Sequence, residues 1–131
     1  MSNFGTADMV SPLRRVLMKM PGSAMETEDW QQWNYSGPLN GDLLRRDHAA
    51  LVSVIENFGA EVLFLKDDST DLADAVFTHD VSLMTPHGAI LCRMGKELRR
   101  GEQDLHAAFY REQQIPLLGS IQSPGTVEAG D

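Results

Sequence analysis

The sequence predicts an α/β fold made of strand-helix-strand units, with one further strand added as a hairpin. Apolar residues recur at three- and four-residue steps over 42–58 and again over 100–114, the period of an amphipathic helix. Short apolar runs at 16–20, 61–65 and 88–93 are bounded by turn residues, as strands are. The two element types alternate with similar spacing, a hint of internal repetition at the level of structure.

Residues 1–11 read as a loose leader of small and polar residues. The run Val16-Leu-Met-Lys-Met20 stops at Pro21-Gly22 and fits a strand near the centre of a sheet. Residues 23–41 are long, polar and irregular, with Trp30, Trp33 and Tyr35 set among acids and glutamines. A stretch of that length inside a compact domain is functional or mobile as a rule. Two readings stand side by side: tryptophans capping the end of a core, or a flexible lid. The helix over 42–58 puts Leu44, His48, Leu51, Ile55 and Phe58 on one face, with Arg45, Arg46, Asp47 and Glu56 largely elsewhere. Asn40 or Asp42 can cap its start and Gly59 its end. His48 on that face reads as a packed histidine rather than a ligand. A buried strand over 61–65 and a solvated acidic turn over 66–71 follow.

Next comes Asp74-Ala-Val-Phe-Thr-His-Asp80, two acids around an apolar triplet with a polar pair before the second acid. If 76–80 is a strand, alternation places Asp74, Val76, Thr78 and Asp80 on one face and Ala75, Phe77 and His79 on the other. Two carboxylates on one face of an apolar strand are costly to bury unpaired. They are solvated at the strand ends or waiting for a cation. Pro86-His-Gly88 is a turn leading into the strand over 88–93. Leu98, Leu105, Ala108 and Phe109 mark the inner side of the second helix, residues 115–120 start a connection, and a strand comes last in the element order.

The formal charge of -8 argues against nucleic acid and anionic membranes as partners, and mildly favours cationic ligands. No apolar run approaches the ~20 residues of a membrane-spanning helix, and residues 1–10 lack a signal-peptide layout. One cysteine permits no internal disulfide, so the cytoplasm is the expected compartment. The four histidines, His48, His79, His87 and His106, show no zinc-ligand spacing, and neither a metal nor another cofactor is expected. Cys92, mid-strand in an apolar run with no histidine paired to it, reads as an inert buried thiol.

Three motifs in order, Asp74-Ala-Val-Phe-Thr-His-Asp80, Gly88-Ala-Ile-Leu-Cys-Arg-Met-Gly95 with Arg99-Arg-Gly-Glu102, and Pro124-Gly-Thr-Val-Glu-Ala-Gly-Asp131, resemble the dimethylarginine dimethylaminohydrolases. More broadly they are similar to the guanidine-modifying superfamily of arginine deiminases and amidinotransferases. The resemblance runs from about residue 11 to the last residue. It implies a pentein fold, an α/β propeller of strand-strand-helix-strand modules, of which 1–131 would form one partial domain of about two modules with 23–41 as lid. It also implies attack of a cysteine thiolate on the guanidinium carbon of an arginine-like substrate, a covalent thiouronium intermediate, and a histidine as general acid and base. On the matching positions Asp80 would grip the guanidinium, and Glu128 would be the catalytic partner of the histidine. Asp74 would face the substrate's amino group and Arg99 its carboxylate. His79 would adjoin the substrate where close relatives usually carry an acid.

These residue types suit that chemistry. A guanidinium keeps its charge and presents several N–H donors, so carboxylates cradle it. Paired acids repel unless a cation lies between them, and arginine offers a carboxylate a fork. The structural alternative is that Asp74 and Asp80 merely meet Arg93 or Arg99. In the family the nucleophilic cysteine and the histidine come from later modules, so this chain is expected to be inactive alone. It would be the N-terminal part of such an enzyme, a self-associating module that binds guanidino compounds or serves in assembly, or one half of a site completed by another chain. Unpaired strand edges predict an oligomer in each case.

Overall fold

A computed structural model describes residues 4–66 and 71–130. The acidic turn expected at 66–71 falls largely outside them. The chain divides into two compact units, Leu13–Val76 and the residues from Phe77 onward together with the leader.

In the Leu13–Val76 unit, β1 (Arg15–Met18) and β2 (Glu61–Phe64) pair in parallel, and α1 (Gly41–Asn57) joins them. At one end of this ladder Arg15 Nε donates to Glu61 Oε2 at 2.7 Å. The predicted caps are present. The Asn40 side chain accepts from Leu43 N–H at 2.9 Å, and Gly59 follows the helix at φ +91°, where a glycine is favoured. The predicted inner face is half right. Leu44, His48 and Ile55 turn inward with Val52, while Leu51 and Phe58 are 50% and 88% exposed beside Leu43 and Val54. The reason is geometric: two strands ~5 Å apart are narrower than a helix ~10 Å across and cannot cover a broad apolar stripe. For the same reason β2 is half-buried rather than buried. Burial lowers the proton affinity of His48, with the Lys19 ammonium adding to it.

The 23–41 stretch is more structured than its composition indicates. It starts with a 3₁₀ turn, Ser23–Glu26, and Trp33 packs with Ala24 and Ala73, with Tyr35 against them. Glu26 also reaches α1, accepting from Arg45 Nη1 at 3.1 Å.

The second unit holds β3 (Ser82–Thr85), β4 (Gly88–Leu91), α2 (Glu102–Glu112) and β5 (Leu117–Ser120). The sheet order is β3-β4-β5, antiparallel in the hairpin and parallel across α2. Strand-helix-strand with parallel pairing thus occurs in both units. Val81, Cys92 and Met94 form a buried cluster, with Ala129 packed on it. In the described part of the leader, residues 4–11, no helix or strand forms, and Asp8 Oδ1 accepts from the N–H groups of Val10 and Ser11 at 2.9 and 2.6 Å.

Two predictions for this region are corrected. Residues 76–80 are not a strand, and 3₁₀ turns over Ala73–Val76 and Thr78–Val81 precede β3. Local donors claim the backbone here, Ala75 N–H on Leu72 O at 3.2 Å and Asp80 N–H on Phe77 O at 3.3 Å. Small and short polar residues such as Ala73, Asp74, Thr78 and Asp80 support such turns. The inner side of α2 is Glu102, His106, Ala107 and Tyr110, whereas Leu98 and Ala108 are exposed. Glu102 and Tyr110 can turn inward because Arg99 and Ser82 partner them, and apolar periodicity is blind to such partners.

Candidate functional site

Asp80 lies in the turn ahead of β3, and its backbone is held at both ends. Its N–H donates to Phe77 O, and its carbonyl accepts from Ala129 N–H at 2.8 Å. Arg99 stands in a 3₁₀ turn, Glu97–Arg99, just before α2. Its Nη1 donates to Asp80 Oδ2 at 2.9 Å. Its Nε and Nη2 form a fork on Glu102, with Nε at 3.0 Å from Oε1 and Nη2 at 2.8 Å from Oε2. Nη2 also reaches Phe77 O at 3.4 Å, and the guanidinium carbon lies 5.9 Å from the centre of the Phe77 ring.

Glu102, in the first turn of α2, is 0% exposed. Burial works against the Arg99 charge, but the hydrogen bonds to Glu102 and Asp80 outweigh it and raise the affinity of Arg99 for its proton. Such a charge-assisted fork fixes direction as well as charge. Asp80 itself remains 25% exposed at its side chain. Its other oxygen, Oδ1, stands against Gly130: a Cβ there would lie 2.8 Å from Oδ1 and 3.7 Å from His79 Cδ2. Only a bare backbone fits so close.

Glu128 is half-buried in the segment that Val127 anchors by donating its N–H to Arg93 O at 2.9 Å. Burial pushes the Cys92 thiol up, a hydrogen bond with the Leu83 backbone offsets part of this, and the Asp80 and Glu128 carboxylates push it further up. Both acids therefore lie within electrostatic reach of Cys92, and that reach discourages a thiolate there.

Of the residues the sequence singled out, Asp80 and Arg99 are in direct contact, the ion pair weighed as the alternative. His79 is exposed beside Gly130. The Arg99 fork expected to meet a substrate carboxylate is taken by Glu102 and Asp80. Asp74 belongs to the other unit, where it is buried and its Oδ1 accepts from Tyr35 Oη at 2.6 Å. With no strand over 76–80, the shared face predicted for Asp74 and Asp80 does not exist.

Sequence reasoning missed His106. It is 1% exposed, packs edge-on against Tyr110 with ring centres 6.0 Å apart, and has no hydrogen-bond partner for either nitrogen among the described residues. Burial first, and the Arg99 charge second, push its pKa down to about 4. The available signal was the four-residue spacing of Glu102, His106 and Tyr110, a polar stripe along one side of α2.

Comparison with known proteins agrees with the motif resemblance. The family described as "N,N dimethylarginine dimethylhydrolase, eukaryotic" matches residues 21–115. The N(G),N(G)-dimethylarginine dimethylaminohydrolase of Pseudomonas aeruginosa is 33% identical over 84 residues, which are 64% of this chain and 33% of that protein. A solved structure of the Pseudomonas aeruginosa enzyme, a cysteine-to-serine mutant complexed with citrulline, superposes with a TM-score of 0.76 at 26% identity. That match covers 91% of this chain and 46% of the other. The AgrE protein in its binary complex with L-arginine shares the fold at a TM-score of 0.73 and 19% identity, over 92% of this chain and 18% of AgrE. The chain thus spans a third to just under half of the dimethylarginine dimethylaminohydrolases it matches. On the strength of the family match and the shared fold, it belongs to the N,N-dimethylarginine dimethylhydrolase family.

Proposed function

We propose that this chain carries part of the guanidinium-binding half of a dimethylarginine dimethylaminohydrolase-like enzyme acting on arginine-type guanidino compounds. Asp80 is the group that grips the guanidinium, and the Asp80 carboxylate, pinned by Arg99 yet partly open to solvent, is the observation that carries the reading. Glu128 is the catalytic acid that would orient the histidine, and Asp74 and His79 are the further substrate contacts. Arg99 is the fork for the substrate carboxylate, and it also holds Asp80 in place.

In the full reaction a cysteine thiolate adds to the guanidinium carbon, an amine leaves, and water then resolves the thiouronium. The sole cysteine, Cys92, is buried with its thiol pushed up, which supports a nucleophile from outside this chain. The histidine is assigned to the same source outside this chain. The pentein architecture of about two modules, with 23–41 as lid, and the cytoplasmic compartment belong to the same proposal. Among the described residues no helix is long and apolar enough to cross a membrane.

Calorimetry of the chain with arginine tests the cradle. Arginine should bind, Asp80→Asn should abolish the heat, and neither protein should release citrulline from methylarginine. Unchanged binding by Asp80→Asn would remove Asp80 from the role.

A second reading, a self-associating module, draws on the exposed Leu43, Leu51 and Val54 of α1 and on Phe58 just past its end. An apolar stripe of this kind marks an interaction surface. Its partner would be another copy of the chain or a complementing chain.

A further inference from the structure

We infer that Glu102 is a positioning and charge-balancing residue for guanidinium capture, acting through Arg99. The inference rests on the proposed role of Asp80 and deepens it.

Arg99 carries one positive charge and touches two carboxylates. Glu102, fully buried, takes its Nε and Nη2, while Asp80 takes Nη1. The three side chains together carry one net negative charge. It resides on the member that is partly exposed, because Glu102 is sealed inside and Asp80 is not. Glu102 therefore cancels the cation that would otherwise neutralise the gripping acid. It also fixes the plane of the Arg99 fork, so Arg99 meets Asp80 through Oδ2 and Oδ1 is left toward Gly130. Without the Glu102 charge Arg99 would belong wholly to Asp80, and the pair would meet an incoming guanidinium with no net charge.

A residue with this duty has a signature that a merely structural residue lacks. Arginine and citrulline have nearly the same shape, but only arginine is a cation at its end group. Losing the Glu102 charge should therefore weaken arginine and spare citrulline. Both ligands are titrated into the full chain by calorimetry or NMR, with thermal melts to confirm that each variant is folded.

Wild type should prefer arginine. Glu102→Gln should lower arginine affinity by roughly tenfold or more, the worth of one unit charge a few ångströms away in a partly exposed site, and leave citrulline within about twofold. Glu102→Asp, shorter but still charged, should keep most of the preference for arginine. Equal loss for both ligands in Glu102→Gln, or no loss for either, overturns the inference. The underlying reading is checked apart from it: Asp80→Asn should erase the preference altogether. If Asp80→Asn leaves the preference intact, the cradle is wrong. If Asp80→Asn erases it and Glu102→Gln does not, only the role of Glu102 is wrong. A wild-type chain with no preference overturns both.

Discussion

His106 sits between Glu102 and Tyr110 on the inward side of α2, and its pKa of about 4 lies well below the ordinary histidine value of 6.5. The unfolded chain therefore binds a proton that the folded chain refuses between those two values. Stability from this group is complete above about 6.5 and is lost as pH falls toward 4, by about 3 kcal/mol in all. His48 tilts the same way, so wild type alone cannot assign the slope. In urea unfolding followed from pH 7 to 4.5, wild type should lose midpoint steeply, while His106→Leu should retain much more of it. Equal slopes in the two proteins would show that His106 is not the group responsible. Residue types were largely legible in advance, since Asp80, Arg99 and Glu128 were named from motifs. Their partners were less so. The Asp80–Arg99 pair could be listed as one option, but Glu102 and His106 lay in a stripe that looks like a solvated face until the acid is seen paired with Arg99.

Among the elements, β4 and β5 meet at a constraint set by one backbone position. Gly88 has φ +145°, and a Cβ there would fall 2.4 Å from Pro116 O, the carbonyl that receives Ala89 N–H. Gly88→Ala should therefore cost about 1–3 kcal/mol through overpacking, with backbone strain in addition, read as a lower midpoint in chemical unfolding. An unchanged midpoint would mean that the β4–β5 junction relaxes freely. Helices, and the turn at Pro86-His-Gly88, could be read from period and punctuation alone. The segment over 76–80 could not, because Val76, Phe77 and Thr78 favour strands by type while their neighbours close local turns. The inner face of α1 was misread where the sheet beneath it is too narrow to hide Leu51 and Phe58.

For the molecule as a whole, the uncovered stripe of α1 and the formal charge of -8 pull in opposite directions. Apolar burial favours association, and like charge on identical chains opposes it until salt screens it. Sedimentation velocity should therefore show assembly that strengthens with salt and disappears in Phe58→Glu, at little cost to folding because Phe58 is 88% exposed. A monomer at high concentration and high salt would rule out this surface as a contact. The family could be recognised from three motifs, and the matched structures agree with that recognition. The hydrogen bond from Ala129 N–H to Asp80 O has a kinetic consequence. It ties the Thr78–Val81 turn to a residue 49 positions further along the chain, so loop closure must precede it and no local nucleus can form it. The turn that bears Asp80 is thus completed only when the segment of Val127 and Ala129 has docked beside it, and it holds no longer than that docking does.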